Sequence, residues 1–307
     1  MASAELRQIR RRITSVQATK KITRAMELIA ASRIAKAQLR VRQSVPYVQK
    51  MTEVIQNVGQ AAGGASHLLL ERREVRRVGV LVVTSDRGLA GAYNSNIIRK
   101  AEAAMLEHRA AGRENRLYVV GKKAQTYFRF RGYRIERAFL GVTDTPGYGD
   151  ARAIAAILID AYASQDIDAV EAYFTRFESA LIQTPTLFPL LPIEPPTGAG
   201  ESRQVSYSYE PSPEGILDRI LPRYVEAGIF GMLLESSASE HASRQRAMKA
   251  ATDNATELTK VLARVANQAR QAEITTEISE IVGGAEALAE QAAAGRETRR
   301  STSRQEW

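Results

Sequence analysis

The sequence predicts an α/β domain set between two long helices that pair antiparallel, and three observations predict it. Residues 3–58 hold no glycine and keep an apolar rhythm of three and four residues. Residues 75–194 alternate short β-branched runs with helical patterns. From Ser212 onward a second helical pattern runs for about 80 residues, many times the ~11 of an ordinary helix.

In the first helix, Leu6, Ile9, Ile13 and Val16 step by three and four, and after a phase shift Ile22, Met26 and Ile29 repeat the step. Pro46 is expected to kink or break it. "GQAAGGASH" (59–67) ends it and serves as a linker. "RVGVLVVTS" reads as a buried strand, followed by strand candidates at 116–121, 169–178 and 188–193. Helices are expected near 89–111, 122–131 and 149–164. Strands alternating with helices imply a small Rossmann-like domain with a mostly parallel sheet. "PPTGAGES" (195–202) reads as a surface loop and "VSYSYEP" (205–211) as a possible extra strand.

Ser212, Pro213 and Glu214 form a helix start: a capping serine, proline in the first turn, then an acid near the positive end of the dipole. Pro222 is expected to bend this helix. Leu258, Leu262, Val265, Ala269 and Ala272 step 4-3-4-3, and after a second shift Ile274, Ile278, Ile281, Ala285 and Leu288 continue as a coiled-coil seam. Gly283 and Gly284 cost a helix ~1 kcal/mol each, which suggests close packing there. The expected divisions are a helix over 1–60, a linker over 61–74, an α/β domain over 75–211, a helix over 212–294 and a polar, disordered tail over 295–307.

At ~1.5 Å per residue the helices reach about 85 and 120 Å. Paired antiparallel from the same side of the domain, they bring Met26 opposite the neighbourhood of Arg244 and Ile13 opposite Leu258. Beyond about residue 270 the C-terminal helix then has no partner within the chain, and an unpaired apolar seam calls for another subunit.

Composition narrows the function. The chain has 307 residues, 44% of them hydrophobic and only 6% aromatic. It has no cysteine, which excludes disulfides, thiolate metal sites and a cysteine nucleophile. His67, His108 and His241 are too scattered for a histidine metal site. No apolar run is long enough to span a membrane. Residues 1–60 carry 12 Lys/Arg against 3 Asp/Glu, a net of +9 that equals the excess of the whole chain. Charge confined to one segment implies one basic surface and an acidic partner. "TSDRGLAGAYN" is a glycine-rich strand-to-helix turn but lacks GxxxxGK[ST] and GxGxxG. Gly88 and Gly91 read as residues of a tight turn rather than a phosphate loop. No cofactor or metal is expected. A nucleotide-dependent α/β enzyme with helical arms would need such a loop or paired catalytic groups. A nucleic-acid-binding coiled coil would need aromatics interleaved with its basic residues, and the basic helix lacks them.

Four motifs in order, "ITRAMELIAASR" (22–33), "VTSDRGLAGAYNSN" (83–96), "AMKAATDNATEL" (247–258) and "ARQAEITTEISEIVGGAEAL" (269–288), resemble the γ subunits of bacterial F-type ATP synthases. The resemblance covers nearly the whole chain. It implies a non-catalytic rotor shaft of a proton-translocating machine, turning inside a ring of α and β subunits. The α/β foot would meet ε and the membrane c ring, at the cytoplasmic face of the plasma membrane. Lys20, Lys21 and Arg24 match residues that face an acidic loop of β, and Met26 matches a methionine tied to coupling. Arg244 matches an arginine near the helix pairing. Arg270, Gln271 and Thr275 match the upper contact zone, with Ile274, Ile278, Ile281 and Leu288 as the apolar bearing. Tyr207 and Tyr209 match foot residues that meet ε and c. Ordinary alternatives remain at each place: a solvated basic face, core packing by Met26, an i,i+4 pair between Glu240 and Arg244, and an edge strand for the tyrosines. Chloroplast relatives carry a regulatory cysteine pair, and the absence of cysteine excludes that regulation here. The extension beyond Leu288, with four arginines and Trp307, is longer than the family commonly shows.

Overall fold

The computed structural model describes residues 2–61, 67–193 and 213–302. It divides into two compact units, one of residues 1–24 with 250–307 and one of residues 25–249. Helix α1 (Ala2–Ala61) and helix α5 (Pro213–Thr302) contribute to both.

The larger unit holds a five-stranded sheet in the order β3-β2-β1-β4-β5. Its strands are β1 (Arg77–Val83), β2 (Glu114–Val120), β3 (Ile135–Phe139), β4 (Ala169–Phe177) and β5 (Gln183–Leu191). The first four are parallel, and β5 runs antiparallel to β4. Helices α2 (Tyr93–Ala110) and α3 (Lys122–Phe130) connect the strands that step outward from β1 to β3. Helix α4 (Tyr148–Ala163) returns the chain to β4, on the other side of β1. The reversal of strand order therefore lies between β1 and β4, where open α/β sheets usually hold ligands.

Alternation along β1 divides the core in two. Val78, Val80 and Val82 meet Ile97, Ala101, Met105 and Phe128 of α2 and α3. Leu81 and Val83 face the other way, into a cluster with Ile154 and Leu158 of α4. That second cluster also takes Ile55 and Val58 from α1 and Leu217, Leu221, Val225, Ile229 and Leu233 from α5.

Several expectations are corrected. Strand β3 was not foreseen, because "IERAF" is short, charged and only half-buried. Strand β5 starts at Gln183, earlier than expected, and carries Pro185 inside it, which an edge strand tolerates. Helix α2 starts at Tyr93, because the turn around Gly88 and Gly91 (φ +56°) occupies 86–92. Helix α1 runs unbroken through Pro46, and α5 through Pro222 and both central glycines. A Cβ on Gly283 or Gly284 would meet nothing within 4 Å, so the described residues make no close contact there. Helix α5 continues to Thr302, past the expected boundary at 294. The capping serine Ser212, the loop 195–202 and the strand 205–211 lie outside the described residues.

Gly121 links β2 to α3 at φ +91°, and its amide donates to Phe139 O at 2.8 Å. A Cβ there would lie 2.5 Å from Thr84 O and 2.9 Å from Ser85 C, backbone atoms that cannot swing aside. Gly132, at φ +77°, has open space around it. Gly121→Ala is therefore expected to destabilise the protein by about 3 kcal/mol, and Gly132→Ala by only about 1 kcal/mol, the conformational penalty alone. Equal denaturation midpoints for the two variants would contradict the steric argument.

Candidate functional site

In the unit of residues 1–24 and 250–307, α1 buries one narrow stripe of residues. Leu6 and Thr23 are buried, and Ile9, Ile13, Val16 and Lys20 are partly so. The facing stripe of α5 is Thr252, Ala255, Thr259, Leu262, Ala266, Ala269 and Glu273. Both keep the three-and-four spacing of a paired-helix seam without a phase shift. Thr23 Oγ1 lies 2.8 Å from Thr252 Oγ1, which fixes the register. Facing residues of an antiparallel pair have a constant sum, so Ile13 is level with Leu262 rather than Leu258. The expected register was wrong by four residues, about one helical turn. Leu258 and Val265 consequently flank the seam, each 39% exposed.

The same register brings Ala2 level with residue 273. From 274 to 289 every side chain of α5 is exposed. Ile274, Ile278, Ile281 and Leu288 are 44%, 56%, 72% and 69% exposed, so their apolar surface is left open among the described residues. Arg270, Gln271 and Thr275 are exposed beside them, and Thr275 Oγ1 donates back to Gln271 O at 2.9 Å.

The basic residues of α1 do not form one uniform face. Lys20 is a partly buried member of the stripe, and its carbonyl accepts from Thr23 Oγ1 at 3.1 Å. Lys21 and Arg24 are exposed one turn apart, next to Ile22 at 61% exposure. Ile22 and Ile29 were expected in the seam and instead lie outside it. In the larger unit Met26 is partly buried, and Glu27 and Ala30 are buried, as the stripe continues. Tyr207 and Tyr209 lie outside the described residues.

Arg244 is 7% exposed and bonded within its own unit. Its guanidinium donates to Glu240 Oε1 at 2.6 Å and to Gly88 O at 3.2 Å, so the expected i,i+4 pair is formed. Burial pushes the Glu240 carboxyl up to about 7, against the pull of Arg244. Burial and the same guanidinium push His241 down to about 4, which leaves its imidazole neutral at pH 7. This buried cluster sits over the turn that follows β1. A ligand-binding α/β protein would open its crevice there, and here Arg244 of α5 reaches into it to bond Gly88 O.

The helix N-termini beside the crevice are also occupied. Asp86 Oδ1 accepts from Lys122 N at 3.0 Å, and Thr84 Oγ1 accepts from Ala124 N at 3.0 Å, both at the start of α3. A carboxylate of the chain thus holds the position a phosphate would take. Asn94 Oδ1, in the first turn of α2, accepts from Ser85 N at 2.9 Å. Among the described residues no cluster of His, Cys, Asp or Glu could hold a metal ion. None of the described helices is long and apolar enough to cross a membrane.

No local pattern marks the cluster built on Arg33 and Asp144, which are 111 residues apart and joined by an ion pair. The Glu240–Arg244 spacing pointed to an ordinary i,i+4 pair on a helix surface, and the pair is buried instead.

Comparison with known proteins agrees with this architecture. Residues 5–288 match the ATP synthase family. The ATP synthase gamma chain of Parafrankia sp. (strain EAN1pec) is 50% identical over 297 residues, covering 94% of this chain and 99% of the relative. That of Kineococcus radiotolerans is 47% identical, covering 94% and 98%. Among solved structures, a rotational state of the Euglena gracilis mitochondrial ATP synthase (OSCP/F1/c-ring) has a chain similar in fold, with a TM-score of 0.67 at 16% identity, covering 93% of this chain and 95% of that one. The central stalk and c-ring structure of the Tetrahymena thermophila mitochondrial enzyme gives a TM-score of 0.58 at 24% identity, covering 75% and 99%. With its family match over almost its full length and relatives near half identity, the chain belongs to the ATP synthase gamma-chain family.

Proposed function

We propose that this chain is the rotor shaft of a proton-translocating F-type ATP synthase. It couples rotation of a membrane c ring to conformational change in catalytic α and β subunits, during synthesis or hydrolysis, and is itself non-catalytic. The observation that carries this reading is the unpartnered stretch of α5. An isoleucine and leucine stripe exposed over residues 274–288 needs an apolar sleeve, and a ring of subunits around the helix supplies one. Asp86 at the start of α3 and Arg244 on the Gly88 carbonyl take positions a nucleotide phosphate would use, which supports a non-catalytic role. The names of the relatives and the c-ring assemblies of the structural neighbours support the same assignment.

In this reading Lys20, Lys21, Arg24 and Met26 meet β, and Arg270, Gln271 and Thr275 meet the upper part of the ring. Tyr207 and Tyr209 meet ε and c. Arg244 acts inside its own unit, where its hydrogen bonds lie. The chain would be peripheral, at the cytoplasmic face of the bacterial plasma membrane.

The isolated, folded chain is expected neither to bind nor to hydrolyse ATP, and to support hydrolysis once combined with α and β. Micromolar nucleotide binding by the pure chain in a titration would count strongly against the assignment.

Reversing Lys20, Lys21 and Arg24 to glutamate is expected to impair coupling while stability changes by under ~0.5 kcal/mol per exposed site. Undiminished proton-driven synthesis by the triple variant would remove these residues from the mechanism.

Truncation after Gly295 is expected to leave assembly and hydrolysis near normal, because the stripe is retained. Truncation after Ala269 removes the whole stripe and is expected to weaken assembly or coupling. Equal assembly by both, measured by co-purification with α and β, would show that the stripe is not a bearing.

A further inference from the structure

The unit of residues 25–249 attaches α5 to the sheet in two chemically different ways. Over residues 217–233 the attachment is apolar: Leu217, Leu221, Val225, Ile229 and Leu233 are each at most 2% exposed. Apolar burial is non-directional. It holds a helix against a sheet but resists rotation about the helix axis only through surface shape. Over residues 236–244 the buried side chains become polar: Ser236, Ser237, Ser239, Glu240, His241, Ser243 and Arg244.

Their partners come from the C-terminal edge of the sheet. Ser237 Oγ donates to Asp144 O at 3.3 Å, and His241 Nε2 lies 4.0 Å from Asp144 Oδ1. Arg244 reaches Gly88 O, and Ser239 Oγ donates to Thr175 O at 3.1 Å. Helix α1 engages the same loop: Arg33 Nη1 donates to Asp144 Oδ1, and Arg40 Nη2 donates to Pro146 O. Asp144 thus receives both long helices. Its loop is tied in turn to the turn after β1, because Thr143 Oγ1 donates to Asp86 Oδ2 at 2.9 Å.

We propose that the 143–146 loop and the Gly88 turn form a torsional lock, the joint through which turning force passes between the α/β domain and the two long helices, with Asp144 as its central positioning residue. The proposal rests on the rotor reading. Hydrogen bonds and ion pairs have a direction and a short range. At the ~5–6 Å radius of a helix with its side chains, a rotation of about 20° moves a bonded group by about 2 Å, enough to break such a bond. Apolar side chains slide through the same angle and remain buried. The polar segment therefore fixes the angle, and the apolar segment fixes the distance.

The test uses the assembled enzyme with the full-length chain. Asp144→Asn keeps the size of its side chain, Arg33→Gln shortens its own, and each removes a charge. Three properties are measured: the yield of assembled complex, unloaded ATP hydrolysis, and angular stiffness of the rotor with a probe on the α/β domain. Assembly and unloaded hydrolysis are expected to stay within twofold of wild type. Stiffness, and proton pumping against an opposing gradient, are expected to fall severalfold. The chain has no cysteine, so an Arg33→Cys/Asp144→Cys pair bridged by a bifunctional maleimide is expected to restore both. Unchanged stiffness and pumping in both charge-neutral variants would overturn the lock while leaving the rotor reading intact. A fall that merely tracks lost assembly, without rescue by the bridge, would also overturn it. Absence of rotation in the wild-type complex would sink the rotor reading, and the lock with it.

Discussion

One face of the sheet is covered by segments from opposite ends of the chain, and the rest of the structure depends on that. Leu81, Val83 and Val170 cannot leave water through α4 alone; Ile55 and Val58 of α1 and the apolar turns of α5 complete the cluster. Each fully buried leucine, isoleucine or valine contributes ~1.5–3 kcal/mol, so the cluster binds the two helices as firmly as any internal element of the domain. The helices are part of its core rather than appendages to it.

The same closure places a helix against the position where this topology usually holds a ligand. A parallel sheet with reversed strand order leaves a crevice beside β1. In this chain Arg244, Glu240 and His241 of α5 lie over it, while Asp86 and Thr84 satisfy the first amides of α3. Burying a charge is tolerable only with partners, and Arg244 has Glu240 and the Gly88 carbonyl. The crevice has become a place of attachment for a helix.

In the smaller unit the balance is different. The α1 side of the seam is largely aliphatic, with Leu6, Ile9, Ile13 and Val16, while the α5 side uses mostly small and polar residues, among them Thr252, Ala255 and Thr259. Larger apolar residues such as Ile22, Leu258 and Val265 lie beside the seam, partly exposed. A narrow seam with apolar flanks leaves surface for partners on more than one side, next to the exposed charges of Lys21 and Arg24.

The sequence by itself determined the element types, because helix and strand periods are local properties of the chain. The spacing of Leu6, Ile9, Ile13 and Val16 marked the seam correctly, and the β-branched run of β1 marked the central strand. The motifs determined the family. Periodicity failed where an apolar residue faces outward: Ile22 and Ile29 keep a helical step, yet Thr23 and Glu27 hold the buried positions. It also failed at β3 and at the start of β5, edge strands whose half-exposed residues carry little pattern. The tertiary structure alone decided the register of the paired helices, since that depends on where each enters the domain. It alone brought Arg33 to Asp144 across 111 residues. A local pattern gives the period of an element, but which side finds a partner is settled only when distant segments meet.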